Sequence, residues 1–377
     1  MEIIDYIWSS MPRPMAGKYF IWNPWNNMRK FILSIVLVVA AGCCSDNIEV
    51  SRIWDENYSA FPSIVEFQGK YYVAFREASS HIFDENGNAD GKARILVSNN
   101  GRRWKSVALI EKPGTDLRDP KLSVTPDGRL MVTLGGSLYK DRELVSFFPH
   151  VAFSNDGCTF SSPEKVSFDS SITDEREWIW RLTWHEGVGY GVSYGEHFAL
   201  VKTTDGVNYQ TVCELNLDRA LSPGESTIRF ASDGRMYMMV RCEGGDSHGR
   251  WGVSEAPYTD WKWGEMDFHL GGPDFIILDD GRVVAGSRYH FPRGKCRTMV
   301  LTGDLDGNFE ERWLLPSGGD TSYPGFLDRG NELWMGYYSC HETADGGSHG
   351  TIYDFDPSAD KAPRASIYLA RIPKKLL

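Results

Sequence analysis

The sequence has no surplus of positive charge. Its 40 Lys and Arg residues are outnumbered by 51 Asp and Glu residues, which gives a formal net charge of −11. A protein that binds nucleic acid neutralises phosphates with a basic face, and no cluster of Lys or Arg interrupts the acidic balance here. The composition therefore argues against a nucleic-acid partner.

Cysteine pairs and clusters of metal-ligating residues are also missing. Cys43 and Cys44 end an apolar segment near the N-terminus, and the other five cysteines are odd in number and widely spaced. No Cys-x-x-Cys pair occurs, and the nine His are scattered. The sequence therefore predicts no disulfide framework, no metal site and no cofactor.

The chain lacks an apolar run that is long enough to span a bilayer comfortably. The run from Phe31 to Ala41 follows two basic residues and precedes small ones, which is the three-part pattern of a secretory signal. Ala40-Ala41-Gly42-Cys43 resembles a bacterial lipoprotein cleavage box with Cys43 as the lipidated residue. An ordinary signal peptide that is cut nearby is the alternative.

We therefore expect an exported protein that is anchored by lipid to the bacterial outer membrane, on its periplasmic face or at the cell surface. Residues 1–27 precede the signal, so we expect the true start at Met28 and exclude residues 1–44 from the folded domain.

Long helical periods are absent, whereas short alternating apolar runs separated by Gly, Asp and Asn recur from about residue 47 onward. Such runs predict strands. Aromatic residues make up 13% of the chain, which suits strands and also sugar-stacking surfaces. The chain is therefore predicted to be all-β.

One turn motif repeats at intervals of about 50 residues. Residues 154–160 and 203–209 share the pattern Ser/Thr-x-Asp-Gly-x-x-aromatic, and residues 98–104 have Asn in place of Asp. The Asx side chain is expected to cap backbone N–H groups while Gly takes a positive φ. These turns resemble the Asp-boxes of sialidase-type propellers, where they are structural.

A second repeat, a Gly-centred polar turn such as Asp127-Gly128-Arg129, recurs about once per 50 residues. Six such hairpins predict a single six-bladed β-propeller over residues 45–377, because radial repetition of a four-stranded sheet leaves only protected edges. The expected blades are 60–110, 117–166, 178–214, 223–265, 270–315 and 320–374. We expect a monomer.

The resemblance to sialidases extends to residues at the predicted axis. Glu225 precedes a strand that leads to Arg241, Arg297 begins a later strand, and Tyr323 lies in the segment Thr321-Ser322-Tyr323-Pro324-Gly325. The resemblance implies that Tyr323 is a nucleophile, that Glu225 is its general base, and that Arg241 and Arg297 bind a polar or anionic group of the terminal sugar.

The general acid of this family lies on a loop of the first blade. We favour Asp84 for this role, with Asp90 and His81 as alternatives. The family's first clamp Arg is replaced by Ala60. Either Arg76 or Arg118 takes its place, or the substrate is a different sugar.

Further polar residues cluster at strand ends near the predicted axis, where loops on a rigid scaffold collect binding residues. The additional candidates for substrate binding are Asp119, Arg181, His248, Asp274, Arg288 and Tyr289.

The sequence thus favours an exo-acting retaining glycoside hydrolase that removes sialic acid or another acidic sugar from a glycan. A non-catalytic glycan-binding propeller is the alternative from a different class, because fold does not fix function. Tyr289 and His290 also leave open a polysaccharide lyase.

Overall fold

The computed structural model describes residues 47–84, 86–172, 176–290, 296–342 and 364–377. The predicted upstream segment and signal, including Cys43, lie outside the described residues, so the lipid anchor stays a prediction. Within the described stretches, no helix has the length and apolar character needed to cross a membrane.

The regular structure of the described residues consists almost entirely of β-strands. In chain order they are β1 Glu49–Trp54, β2 Tyr58–Phe67, β3 Lys70–Ala78, β4 Lys92–Ser98, β5 Lys105–Ile110, β6 Asp116–Val124, β7 Leu130–Lys140, β8 Glu143–Ser154, β9 Glu164–Lys165, β10 Ser167–Phe168, β11 Glu177–His185, β12 Val188–Gly195, β13 Phe198–Thr203, β14 Asn208–Glu214, β15 Pro223–Phe230, β16 Met236–Cys242, β17 His248–Ser254, β18 Lys262–His269, β19 Asp274–Ile277, β20 Val283–His290, β21 Cys296–Gly303, β22 Phe309–Leu315, β23 Thr321–Asp328, β24 Glu332–Ser339 and β25 Ser366–Pro373. Two short 3₁₀ turns lie at Arg219–Leu221 and Lys374–Leu376.

These strands form six antiparallel sheets that are arranged as the blades of a propeller, as the sequence predicts. Blades 1 to 6 begin at β2, β6, β11, β15, β19 and β23. The short β10 also joins blade 3, where it pairs in parallel with β14. Each blade starts at the axis, and the first strands of neighbouring blades contact one another.

The sixth blade is closed by the N-terminal strand. β1 pairs with β25, with Val50 opposite Ala370, so this blade combines both ends of the propeller. The sequence predicts this blade within residues 320–374, and the structure adds Glu49–Trp54 to it. The pairing covers the edge of β25 and ties the ring together.

Strands are apolar on both faces because each blade packs between two others. In β3, Val73 and Phe75 pack in a cluster with residues of blade 6, whereas Tyr72 and Ala74 pack in a cluster with residues of blade 2. Successive side chains of a strand point to opposite faces, so a strand buried on both sides reads as a continuous apolar run.

The repeated turns have the geometry that their sequence predicts. The backbone N–H of Gly157 donates to Ser154 Oγ at 2.9 Å. Asp156 Oδ1 accepts from the backbone N–H groups of Cys158 and Thr159 at 2.8 and 2.7 Å. Gly157 has a φ of +71°, and a Cβ there would overlap the ring of Tyr72 in blade 1. Only Gly fits at this position of the turn, and the turn therefore packs closely against the preceding blade.

The first strand of five blades bulges at an equivalent point near the axis, where two of its residues oppose one residue of the neighbouring strand. We call these positions the axial bulges; they are Phe61-Pro62, Asp119-Pro120, Trp180-Arg181, Gly224-Glu225 and Tyr323-Pro324. A bulge redirects side chains and is common beside active sites. The axial bulges therefore bring side chains from different blades together.

Candidate active site

The hydroxyl of Tyr323 donates a hydrogen bond to Glu225 Oε1 at 2.8 Å. The two residues are 98 positions apart in sequence and belong to the axial bulges of blades 6 and 4. Such a bond between a phenol and a carboxylate is the arrangement in which the carboxylate can accept the phenolic proton.

Arg241 joins this pair from the strand position opposite the blade-4 bulge. Its Nη1 donates to Glu225 Oε2 at 2.8 Å and to Tyr323 Oη at 2.7 Å, and its Nε donates to Glu243. One guanidinium therefore holds the proton acceptor and the phenol oxygen together. Charge that develops on either oxygen is stabilised by the same group.

The backbone N–H of Gly272 donates to Glu225 Oε2 at 2.9 Å and fixes the carboxylate from blade 5. Gly272 has a φ of +58°, and a Cβ there would overlap the ring of Tyr323. Only Gly allows this close approach. The residue types of this segment do not reveal the contact, because a backbone N–H makes it.

Burial raises the pKa of Tyr323, and the charge of Glu225 raises it further, whereas Arg241 and Arg288 oppose both effects. The phenol is therefore neutral in the free protein. Burial disfavours the charge of Arg241, but Glu225 and Tyr323 outweigh burial and raise the pKa of Arg241. The guanidinium accordingly stays protonated.

Arg288 lies beside the ring of Tyr323, with its Cζ 5.2 Å from the ring centroid. Its Nε donates to the carbonyl of Thr321 at 3.0 Å and its Nη2 donates to Asp320 Oδ1 at 3.0 Å. Asp320 also accepts from the hydroxyl of Tyr338 at 2.6 Å. This network fixes the Arg288 side chain next to the phenol.

Phe61 and Arg118 occupy the region where the sequence shows Ala60 in place of a clamp Arg. The Phe61 ring lies 4.9 Å from that of Tyr323, and Arg118 Cζ lies 5.4 Å from the Phe61 centroid. Arg118 Nη1 donates to the carbonyl of His81 at 3.1 Å. Arg118 thus approaches the site from blade 2.

Three guanidinium groups around Tyr323 have N–H donors that no protein acceptor in the described part of the chain occupies. Arg118, Arg241 and Arg288 have side chains that are 12%, 17% and 15% exposed. Within the described part of the chain, no protein acceptor lies on Nη2 of Arg241, Nη1 of Arg288, or Nε and Nη2 of Arg118. These donors suit a polar or anionic ligand.

Arg76 requires a correction, because its side chain is fully buried. Its Nε donates to Asp116 Oδ1 at 2.9 Å and its Nη1 donates to the carbonyl of Ser80 at 2.8 Å. Asp116 also accepts from Arg118 Nη1 at 3.2 Å. Arg76 therefore orients Asp116 and Arg118 instead of contacting a substrate.

Arg181 and Asp274 form another buried ion pair, with 3.2 Å between Arg181 Nη1 and Asp274 Oδ2. Asp274 is fully buried and also pairs with Arg229 at 2.6 Å. It accepts from the backbone N–H of Phe326 at 3.1 Å as well. The expected direct contact of Asp274 with a substrate is corrected, because its carboxylate links blades 4, 5 and 6 below the surface.

Asp84 caps its own loop. Its Oδ1 accepts from the backbone N–H groups of Asn86 and Asn88 at 2.9 and 2.7 Å, and these bonds lower its pKa. Asp90 accepts in a similar way from the backbone N–H of Ser79 at 2.9 Å. Neither carboxylate has a contact with the Tyr323–Glu225 pair among the described residues.

The other alternative for the general acid, His81, is tied to Asp320. His81 Nδ1 lies 2.5 Å from Asp320 Oδ2 and 2.9 Å from the hydroxyl of Tyr58. The ring of His81 also packs against Phe61, 5.6 Å between centroids. The imidazole therefore belongs to the network that positions Arg288.

The remaining candidates are Arg297, Tyr289 and His248. Arg297 Nη1 donates to the carbonyl of Cys296 at 2.9 Å, and Tyr289 lies opposite Arg297 on the paired strand. His248 Nδ1 pairs with Glu265 at 3.0 Å on the outer strands of blade 4. None of the bonds described for these three residues reaches Tyr323 or Glu225.

One group of three side chains in the described residues has metal-ligand spacing: Asp246, His248 and Glu265. Arg250 already pairs with both carboxylates, at 3.0 Å to Asp246 and 3.8 Å to Glu265. The group is largely exposed and balanced by this Arg, and we assign no metal to it.

Asp119 and Lys121 are two buried ionisable residues on the blade-2 side. Lys121 Nζ donates to the carbonyl of Phe61 at 3.0 Å, and burial lowers the pKa of Lys121 to about 7. Asp119 is 8% exposed, and its Oδ1 is a buried acceptor that has no hydrogen-bond partner among the residues that the structure describes. The sequence analysis named Asp119 but missed Lys121, which reads as an ordinary polar residue of a strand.

The sequence matches no family model and no curated protein. Solved structures do resemble the fold. A protein of unknown function from Dyadobacter fermentans has a TM-score of 0.66 at 16% identity, and the match covers 86% of this chain and 99% of that one.

Sialidases are also among the similar structures. Trypanosoma rangeli sialidase in complex with the inhibitor DANA has a TM-score of 0.63 at 10% identity, over 85% of this chain and 56% of that chain. The NanB sialidase from Streptococcus pneumoniae has a TM-score of 0.63 at 9% identity, over 87% and 70%. This chain thus spans little more than half of the trypanosomal protein. At such identities the likeness concerns the fold alone, and the chain is a six-bladed β-propeller whose fold resembles that of these sialidases.

Proposed function

We propose that this protein is an exo-acting retaining glycoside hydrolase with Tyr323 as the nucleophile and Glu225 as its general base. The observation that carries the proposal is the bond of 2.8 Å between the Tyr323 hydroxyl and Glu225, with Arg241 donating to both. A surface that only binds glycans gains nothing from directing a proton acceptor at a phenol oxygen.

The first step forms a bond between Tyr323 Oη and the anomeric carbon. Glu225 takes the phenolic proton as this bond forms, and the bond from the anomeric carbon to the leaving oxygen breaks with its electron pair going to oxygen. Arg241 stabilises the oxygen charge that develops on the phenol. In the second step the oxygen of a water molecule bonds to the anomeric carbon, and Tyr323 departs and takes its proton back from Glu225. The proton that water loses neutralises the leaving oxygen of the first step, so the net reaction consumes one water.

The terminal sugar in this proposal is acidic, with sialic acid as one candidate. The open donors of Arg118, Arg241 and Arg288 support an anionic group, since guanidinium groups bind carboxylates through paired N–H donors. A neutral phenol is also a suitable nucleophile for a sugar that carries a carboxylate, because a carboxylate nucleophile would be repelled. Lipid attachment at Cys43 remains part of the proposal and would hold the enzyme at the outer membrane.

The test is hydrolysis of a panel of 4-nitrophenyl and 4-methylumbelliferyl glycosides that includes sialic acid, uronic acids and neutral sugars. We expect wild type to cleave at least one acidic glycoside and Tyr323→Phe to lose on the order of 10³-fold or more in kcat/KM. Tyr337→Phe is the matched control, because Tyr337 is also buried in blade 6 but donates to the carbonyl of Pro316. Binding of glycans without cleavage of any member would favour the non-catalytic alternative.

A further inference from the structure

We infer that Arg181 is a positioning residue, which fixes the backbone around Tyr323 from the opposite side of the propeller axis. Arg181 lies in the axial bulge of blade 3, and Tyr323 lies in that of blade 6. These two blades face each other across the ring, with two other blades between them on either side. The inference rests on the proposed function and extends it to a residue that acts through the backbone.

The guanidinium of Arg181 reaches the chain directly after Tyr323. Its Nη2 donates to the carbonyl of Pro324 at 3.0 Å, although the two residues are 143 positions apart in sequence. Its Nη1 lies 3.2 Å from Asp274 Oδ2, and the side chain is only 9% exposed. One buried cation therefore ties blade 3 to blades 5 and 6.

Asp274 extends this tie to a second backbone group of blade 6. The same oxygen that faces Arg181, Oδ2, accepts from the backbone N–H of Phe326 at 3.1 Å. The other oxygen, Oδ1, pairs with Arg229 Nη2 at 2.6 Å, so the fully buried carboxylate is fixed from both sides. The strand after Tyr323 is thus held at a carbonyl and at an N–H.

The chain before Tyr323 is held separately. Arg288 Nε donates to the carbonyl of Thr321 at 3.0 Å. Arg288 belongs to blade 5, whereas Arg181 approaches from blade 3. The two cations therefore fix the backbone on the two sides of the proposed nucleophile.

The backbone at Tyr323 needs such support. Ser322 has a φ of +94° and Tyr323 a φ of +51°, a region that residues other than Gly adopt rarely and only where the surrounding structure enforces it. The register of β23 and β24 also shifts between Ser322 and Gly325, so regular pairing does not hold this stretch. Contacts from other blades supply the missing constraint.

The position of the Tyr323 hydroxyl depends on this backbone. A shift of the bulge would move the hydroxyl relative to Glu225 and Arg241, which lie 2.8 and 2.7 Å from it. A displacement of about 1 Å at a reacting group can lower a rate on the order of 10²-fold. The effect should appear in kcat and not in KM, because the guanidinium groups proposed to bind the sugar are held by other acceptors.

Arg181→Met tests this role, because it removes both contacts and keeps a long side chain. Asp274 still pairs with Arg229 in this variant, so no buried carboxylate is left without a cation. On the glycoside that the panel identifies, we expect kcat to fall roughly 10- to 100-fold and KM to change less than about threefold. An unchanged kcat would overturn the inference and leave the proposed function standing.

Arg181→Lys is the second variant, in case the first does not fold. The Lys ammonium keeps the positive charge beside Asp274 but lacks the fork of N–H groups that serves two acceptors at once. We expect this variant to fold and to lose roughly tenfold in kcat. Wild-type kcat in Arg181→Lys would mean that the contact with Pro324 does not matter.

Arg371→Met is the matched control. Arg371 is 8% exposed, its Nη2 donates to the carbonyl of Gly101 in blade 1 at 2.6 Å, and its Cζ lies 4.8 Å from the ring centroid of Trp334. Arg181 similarly lies 5.0 Å from the ring centroid of Trp180. Arg371→Met should lower the melting temperature and leave kcat unchanged. An equal fall of kcat in both variants would indicate general loosening and overturn the positioning role.

A second readout needs no substrate. In protein labelled with ¹³C at the tyrosine Cζ atoms, the resonance that Tyr323→Phe removes belongs to Tyr323. We expect it to move in Arg181→Met, since the bonds of the hydroxyl change, and to stay in place in Arg371→Met. An unmoved resonance in Arg181→Met would contradict the inference. If wild type cleaves no glycoside, the proposed function fails, whereas a moved resonance would still support the positioning of Tyr323 by Arg181.

Discussion

Aspartate side chains have different surroundings at the rim of this propeller, by which we mean the repeated turns, and at its axis. Asp205, in the turn at residues 203–209, accepts from two backbone N–H groups of its own turn at 2.8 Å each, and its pKa is lowered to about 2 because these bonds outweigh burial. Asp119 at the axis is buried and has no such donor in the described part of the chain, and burial raises its pKa. The carboxylate of Asp205 is therefore stabilised in its ionised form by its own turn, whereas that of Asp119 is not.

The repeated turns and the proposed catalytic residues therefore lie in different parts of this fold. Rim contacts join residues two to four positions apart, so they return in each blade that carries the motif. Contacts at the axis join residues from different blades, such as Tyr323 and Glu225 at a separation of 98. Changes at the rim should therefore alter stability, and changes at the axis should alter activity.

Among the variants compared below, Glu225→Gln should cause the largest loss of activity. The amide cannot take the phenolic proton from Tyr323, and it also removes the charge that pairs with Arg241. We expect a loss on the order of 10³-fold in kcat/KM on the cleaved aryl glycoside, measured beside the melting temperature. A loss below tenfold with the fold intact would mean that Glu225 is not the base.

Arg118→Met tests whether the guanidinium from blade 2 replaces the missing clamp at Ala60. Loss of a charge-assisted contact is worth about 1.5–3 kcal/mol, so kcat/KM on an acidic glycoside should fall roughly ten- to a hundredfold. Arg235→Met, at an exposed hairpin, is the control. Equal loss on acidic and neutral glycosides would argue against binding of an anionic group.

Lys121→Met tests the effect of the buried amino group on the blade-2 side. With a pKa of about 7 in the folded protein and about 10.4 in the unfolded chain, Lys121 is neutral in the fold but protonated in the unfolded state between these values. The unfolded state then binds more protons, so stability from this residue rises with pH. Between pH 7 and 9, wild type should gain about 2 kcal/mol over Lys121→Met in chemical denaturation, while Lys105→Met shows no such trend.

Asp205→Ala should have the smallest effect, a loss of about 1 kcal/mol in the free energy of unfolding, since the turn loses a local cap. Activity should stay unchanged. The pKa of Asp205 is depressed, so its contribution is present above the unfolded pKa of about 4 and disappears as the pH falls toward about 2. The melting difference from wild type should therefore vanish over that window, and a change in kcat/KM would break the separation of rim from axis.

Much of the fold was predictable because its signals are local. The turn motifs and the Asp-Gly-Arg hairpins mark blades within a few residues of their observed bounds. The role of Glu49–Trp54 in closing blade 6 was not predictable, since a single short strand carries no sign of a partner more than 300 residues away.

The candidate site was predictable only in part. The positions of Tyr323, Glu225 and Arg241 followed from the resemblance, whereas the contribution of Gly272 depends on a backbone N–H that no residue type announces. Asp84 was favoured because it lies on the expected loop, but its hydrogen bonds within that loop emerge only in three dimensions. The burial of Arg76 likewise depends on how blades 1 and 2 pack.

Trapping the covalent intermediate tests the central claim most directly. Wild type is incubated with a fluorinated, slowly turning-over glycosyl fluoride of the cleaved sugar, digested and mapped by mass spectrometry. The account predicts one sugar adduct on the peptide that contains Tyr323, and no adduct in Tyr323→Phe. An adduct on another residue, or turnover with inverted anomeric configuration by NMR, would contradict it.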